Sequence, residues 1–117
     1  MDASEELLSG LRSLCQELPQ AEEYVMVHHP AFRAGKKPFV VVGMNSGPTL
    51  SVNLGLVEQA ELLQDDPRFS RTPYIGQHGW VSMAYADTDW EEITGLVTAS
   101  YRRVATRRML RELDSEA

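Results

Sequence analysis

The sequence predicts an α+β two-layer sandwich: a mostly antiparallel sheet with helices on one face, in the order α-β-β-β-β-α-β-α. Three observations carry this. Apolar residues recur at helical spacing near both ends of the chain. In the middle, Leu50, Val52 and Leu54 alternate with Ser51 and Asn53, as in a strand with one face on a core. The stretches between strand candidates are a few residues long, enough for hairpins but too short for parallel crossovers.

The first helix is expected from Ala3 to Leu18, with Leu7, Leu8, Leu11, Leu14, Cys15 and Leu18 forming one apolar stripe. Asp2 followed by Glu5 fits a capping box, and Pro19 stops the helix. Strands follow at Tyr24–His28, Ala31–Ala34, Phe39–Met44 and Thr49–Leu54, punctuated by Gly35 and by the Asn45-Ser46-Gly47-Pro48 turn cluster. A second helix spans Leu56 to Gln64, with Leu56, Val57, Ala60 and Leu63 as its inward face, and Asp65-Asp66-Pro67 ends it. Arg68 to His78 reads as an extended loop with a short edge strand at Thr72–Ile75, before a strand at Trp80–Ala86. A third helix starts at Thr88, which pairs with Glu91 as a capping box and buries Trp90, Ile93, Val97, Tyr101 and Val104. Its arginines fall in the C-terminal turns, where they complement the helix dipole, and Asp114 to Ala117 are expected to fray.

A chain of 117 residues, 43% apolar and 24% charged, has the size and composition of a single globular domain, here residues 1–117. The apolar run Phe39–Val42 is far short of the ~20 residues of a membrane span. The acidic start (Asp2, Glu5, Glu6) is unlike a signal or transit peptide. The lone cysteine, Cys15, lies on the apolar stripe, so it is expected to be a core thiol in a reducing compartment, the cytoplasm.

The net charge of −6 opposes strong non-specific binding to duplex DNA. The charge is uneven, however. Before Arg33 there is one basic residue against six acidic ones, whereas Arg102 to Arg111 holds five arginines and no acid. A local basic surface on an acidic protein is compatible with that layout.

Most catalytic and metal chemistries lack their residue patterns here. His28 and His29, as neighbours on a strand, would face opposite ways, and no Cys or carboxylate stands at finger, HExxH or EF-hand spacing. No metal or other cofactor is expected. There is no GxSxG elbow, and a serine inside a helix, such as Ser100, usually bonds back to its own helix. Neither Gly43–Gly47 nor Gly76–Gly79 precedes a helix, so both read as turns rather than phosphate cradles.

One combination of basic and aromatic residues stands out. Arg33, Lys36 and Lys37 flank a turn beside Phe32 and Phe39. Arg68 and Arg71 flank Phe69, with His78 and Trp80 beyond. Two such loops side by side could grip an anionic or aromatic ligand, Arg33, Lys36, Lys37, Arg68, Arg71, His78 and Trp80 being the candidate residues. Equally, the aromatics could be core and the basic residues could keep strand edges soluble.

The segments HHPAFRAGKKPFVVV, LSVNLGLVEQAELLQDDPRFSRTPYIGQHGWVSM and DWEEITGLVTASYRRVA resemble the MmcQ/YjbR family of small bacterial proteins, from the first helix to the third. The positions matching the family pattern are Pro30, Phe32, Lys36, Gly79, Trp80, Ser100 and Tyr101. The resemblance implies a CyaY-like or type III secretion chaperone-like fold and a DNA-binding role through hairpin wings. It implies no catalytic residue. The functional expectation is a non-enzymatic binding module, its partner a nucleic acid or another anion. The alternative is a protein-interaction module, chaperone-like or homodimeric, and the chain is a monomer or homodimer away from membranes. A third reading is an enzyme, which needs Lys36, His28, His78 and Tyr101 to converge.

Overall fold

A computed structural model describes residues 2–115. The α-helices and strands follow in order: α1 (Ala3–Cys15), β1 (Ala21–Met26), β2 (His29–Ala34), β3 (Lys37–Val42), β4 (Thr49–Asn53), α2 (Gly55–Asp65), β5 (Phe69–Arg71), β6 (Trp80–Ala84), α3 (Trp90–Val104) and α4 (Arg107–Ser115). The strands form one antiparallel sheet in the order β1-β2-β3-β4-β6-β5, with the helices over it, as the sequence predicts. Among the described residues no helix is long and apolar enough to cross a membrane.

The register sorts the side chains. Phe32, Val40, Val52 and Val81 lie opposite one another in successive strands, as do Val42 with Leu50 and Leu50 with Met83. This face packs on Leu7, Leu11 and Cys15 of α1 and Ile93, Val97 and Tyr101 of α3, which together make the main core. A bulge adds Phe39 to it. Phe32 pairs with Val40 but Arg33 pairs with Pro38, so Phe39 is the extra residue. The extra residue breaks the alternation, and Phe39 meets Tyr101 edge-on at 5.4 Å between ring centres. Cys15 is buried as expected, and burial pushes its thiol up to about 12.

Several boundaries differ from the sequence reading. α1 ends at Cys15, and Leu18 is buried from a turn rather than from the helix. Asp2 caps α1 by accepting from the Glu5 N–H at 2.8 Å. The cap of α3 is Asp89, accepting from Glu92 N–H at 2.9 Å, while Thr88 donates to the Glu92 carboxylate at 2.6 Å. The edge strand forms at Phe69–Arg71 rather than Thr72–Ile75, because Phe69 fills the core opposite Met83.

The expected inward face of α2 is its outward one. Leu56, Val57, Ala60 and Leu63 are exposed, while Gly55 and Gln59 are buried. Two contacts set this phase. The Gln59 amide donates to the carbonyls of Gly76 at 2.6 Å and Trp80 at 2.9 Å. Gly55 meets Gly79 so closely that a Cβ on Gly79 would sit 2.6 Å from the Gly55 Cα.

The basic C-terminal run is two helices, not one. The chain leaves the helical conformation at Ala105, where ψ is 149°, and Thr106 restarts it by accepting from the Met109 N–H at 3.2 Å. α4 folds back, and Arg102 of α3 pairs with Asp114 of α4 at 2.7 Å. Asp114 and Ser115 are helical rather than frayed; Glu116 and Ala117 lie outside the described residues.

Candidate functional site

The sheet face away from α1 and α3 was expected to be half-exposed at β4. It is not: Thr49 to Val52 are all buried. The connection between β5 and β6 covers part of this face. Beneath it the hydroxyls of Ser51 and Ser82 lie 2.8 Å apart, and those of Thr72 and Ser82 are also 2.8 Å apart. All three are buried, and the chain of hydroxyls satisfies them mutually. Beside it is a second apolar cluster of Ala31, Val41 and Trp80, with Tyr24, Met26, Met44 and Ile75 packed against it.

Past the edge of that covering connection a pocket of about 390 Å³ opens, lined by Met26, Val27, His29, Met44, Tyr74 and Ile75. Its rim carries unusual backbone. The β1–β2 hairpin turns on two residues, Val27 (φ 45°) and His28 (φ 71°). Two-residue hairpins favour such a turn, but normally with Asn or Gly, and a β-branched residue there is a steric outlier. Tyr74, across the pocket, also has positive φ (66°). Tyr74 is 91% exposed and Val27 77%, so apolar groups that could have turned inward stand at the mouth. Strained backbone of this kind, about 1–3 kcal/mol per residue, concentrates at binding sites. The floor is polarizable and adaptable, with two methionines beside an isoleucine. His29 is the one imidazole among the lining residues, and its Nδ1 is 3.5 Å from where a Cβ on Gly43 would lie.

The sequence-predicted basic residues do not gather into one site. β2 and β5 are four strand steps apart, roughly 19 Å at about 4.8 Å per step. The two loops therefore flank opposite sides of the sheet. Arg33 pairs with Glu22 at 2.6 Å and lies over the Tyr24 ring at 4.7 Å. Arg68 bonds the carboxylates of Asp66 at 2.8 Å and Glu92 at 2.7 Å, and the Asp87 carbonyl at 3.0 Å. Hydrogen bonding to Arg68 holds both carboxyls below the usual range and raises the guanidinium. Arg68 thus pins the end of α2 to the start of α3. Arg71 packs its side chain against Gly76. Trp80 is buried and offers no face for stacking on a base. Lys36, Lys37 and His78 are exposed.

Three of the arginines expected in the C-terminal turns of the third helix, Arg107, Arg108 and Arg111, lie on α4 instead. The Met109 methyl lies 3.2 Å from where a Cβ on Gly35 would be, so α4 packs beside the β2–β3 turn. That brings exposed Arg107, Arg108 and Arg111 to the side of the molecule carrying Lys36 and Lys37. Only the chain reversal at Ala105 creates this neighbourhood, and no local sequence signal reports it.

The groups an enzyme reading would need are dispersed. Tyr101 is in the core and donates to the Pro19 carbonyl at 2.6 Å. His28 and Lys36 sit at opposite ends of the six-residue β2, about 20 Å apart at ~3.3 Å per residue. Ser100 does not bond back to its own helix. It donates to the Phe39 carbonyl at 2.6 Å and accepts from the Asn53 N–H at 2.9 Å. Among the described residues no group of three or more His, Cys, Asp or Glu could hold a metal ion.

Comparison with curated proteins gives no match. The YjbR family profile matches residues 16–103, beginning just past α1 and ending in the last turn of α3. The resemblance expected from the first helix onward thus leaves out α1, and α4 lies outside it as well. The matched span holds the whole sheet, both glycines of the α2 contact, the pocket and the Ser100 bridge, and by that match the chain belongs to the YjbR family.

Proposed function

We propose that this YjbR-family chain is a protein-interaction module that receives an apolar or aromatic side chain of a partner protein in the pocket of Met26, Val27, His29, Met44, Tyr74 and Ile75. The observation that carries the reading is the pocket's construction: strained, exposed apolar residues at its mouth over a methionine-lined floor. Its volume of about 390 Å³ lies within the range of pockets that bury a ring system. Methionine surfaces accommodate varied apolar shapes. The module works in a reducing compartment, the cytoplasm, where the buried Cys15 thiol stays free.

The test uses N-acetyl-tryptophanamide as the probe and methyl NMR as the readout. The methyl signals of Met26, Met44 and Ile75 are expected to shift on titration, and Met44→Lys is expected to abolish the shifts while leaving the core methyls of Leu50 and Val97 in place. Saturating probe with no change at those three methyls defeats the reading.

Nucleic acid binding is a second reading, supported by the approach of α4 to the β2–β3 turn. Lys36 and Lys37 with Arg107, Arg108 and Arg111 make a basic corner on a chain of net charge −6. Arg33 and Arg68, tied to their own carboxylates, are left out of it. Fluorescence anisotropy with a DNA duplex is expected to give affinity that falls as salt rises, and the paired change Lys36→Glu with Lys37→Glu to weaken it. Affinity weaker than about 10⁻⁴ M at low salt ends this reading.

A further inference from the structure

The two edges of the sheet differ in how they are protected. β5 is three residues long and gives little room for a further strand. β1 is six residues long, contains no proline or lysine, and runs against β2 in unbroken register from Ala21 to Met26. Short length, Pro, Lys and bulges are the usual means of blunting an edge, and β1 has none of them.

Acidic side chains could have served instead. Both carboxylates of β1 are already neutralised inside the chain. Glu22 pairs with Arg33 at 2.6 Å and Glu23 with Arg12 at 2.7 Å. Val25 is 70% exposed beside them.

The outward hydrogen-bonding groups can be identified. The Gly35 N–H donates to the Gln20 carbonyl, which sets Gln20 facing β2. Antiparallel alternation then turns Glu22, Tyr24 and Met26 toward β2, and Ala21, Glu23 and Val25 outward. The Ala21 N–H is taken by the Leu18 carbonyl. Glu23 and Val25 present the open donors and acceptors.

We propose that β1 pairs antiparallel with β1 of a second copy of this chain, with Tyr24 on the two-fold axis. In that register Glu23 lies opposite Val25 of the other copy and Glu22 opposite Met26. All four outward groups of Glu23 and Val25 bond across the axis, and no like charges meet. Centring on Glu22 or Glu23 sets carboxylates directly opposite each other, which is unfavourable. The two Tyr24 rings meet on the helix-free face, each already covered by its own Arg33. The pairing joins two sheets into one of twelve strands. A chain-to-chain contact built on a single strand pair is small and concentration-dependent.

Sedimentation over a wide concentration range tests this. The wild type is expected to shift from 13.1 kDa toward twice that mass as concentration rises. Val25→Pro removes an outward N–H without removing a bond to β2, and proline is tolerated at such edge positions. It is expected to weaken association about tenfold or more, with unchanged circular dichroism. Val25→Lys serves if the proline variant does not fold. Oxidation reads the register: Tyr24→Cys faces itself in a non-hydrogen-bonded pair, about 4.5 Å between Cα atoms, and is expected to cross-link. Glu23→Cys is expected not to. Met44→Lys, in the pocket, is expected to leave association intact. A wild type that stays monomeric throughout overturns the proposal, whether β1 then pairs with another protein or with nothing. Cross-linking through Glu23→Cys but not Tyr24→Cys overturns the register.

Discussion

The Ser100 hydroxyl bridges α3 to the sheet by donating to the carbonyl of Phe39, the bulge residue of β3, at 2.6 Å. A bulge leaves backbone groups without ladder partners. Ser100 satisfies this one and, through its second contact, the Asn53 N–H at the end of β4. The same bulge aims Phe39 at Tyr101, the residue after Ser100, so packing and hydrogen bonding fix one geometry.

Ser100→Ala is therefore expected to destabilise the fold by about 1–3 kcal/mol, the cost of leaving a buried polar group unsatisfied. Urea unfolding followed by circular dichroism measures it. A loss below a few tenths of a kcal/mol would show that water replaces the hydroxyl.

Gly79→Ala is expected to cost about 1–3 kcal/mol from backbone strain alone, since its φ is 100°. The new Cβ would also press on Gly55 and push α2 from the sheet. The midpoint of thermal unfolding is expected to fall by several degrees. Gly47→Ala provides the comparison, because a Cβ there meets nothing within 4 Å, although φ is also positive.

Arg68 gives the protein an acid-sensitive joint. The bonded carboxyls of Asp66 and Glu92 sit below their ordinary values in the folded chain. Their contribution is present above the unfolded values, about 4, and is lost as pH falls through the folded ones. Arg68→Met is expected to flatten the decline in stability below about pH 4. Unfolding midpoints of wild type and variant across acid pH decide the matter, and parallel curves would refute the joint.

Relieving the strained hairpin is expected to separate stability from binding. Val27→Asn with His28→Gly supplies the favoured turn residues and should stabilise by about 1 kcal/mol or more. It also removes Val27 from the pocket mouth, so the N-acetyl-tryptophanamide affinity is expected to drop. Thermal unfolding and methyl NMR on the same variant read both effects.

The Cys15 thiol, pushed up to about 12 chiefly by burial, is expected to be inert to a disulfide reagent near neutral pH in the native state. It should react at once in denaturant. Rapid native labelling would mean that α1 lifts from the sheet.

The sequence by itself determined the antiparallel α+β architecture, the apolar stripe of α1, the alternation along β4 and the burial of Ile93, Val97 and Tyr101 on α3, whereas Trp90, expected on that face, is exposed at the helix start. These are local periodicities, set by 3.6 residues per turn or two per pleat, and they survive whatever the rest of the chain does. Only the tertiary structure decided which side of α2 faces inward. There a glutamine amide bonded to the carbonyls of Gly76 and Trp80 and a glycine–glycine contact outweighed four apolar residues. The same holds for the site. Arg33 and Arg68 look available in sequence because Glu22 and Glu92 are 11 and 24 residues away, although Asp66, the other partner of Arg68, is only two. Trp80 looked like a stacking face until the β5–β6 connection covered it. The pocket draws on the β1–β2 turn, the β3–β4 loop and the β5–β6 connection, segments that sheet pairing alone brings together. Contacts between residues far apart in the chain depend on the closed topology, which no window of sequence contains.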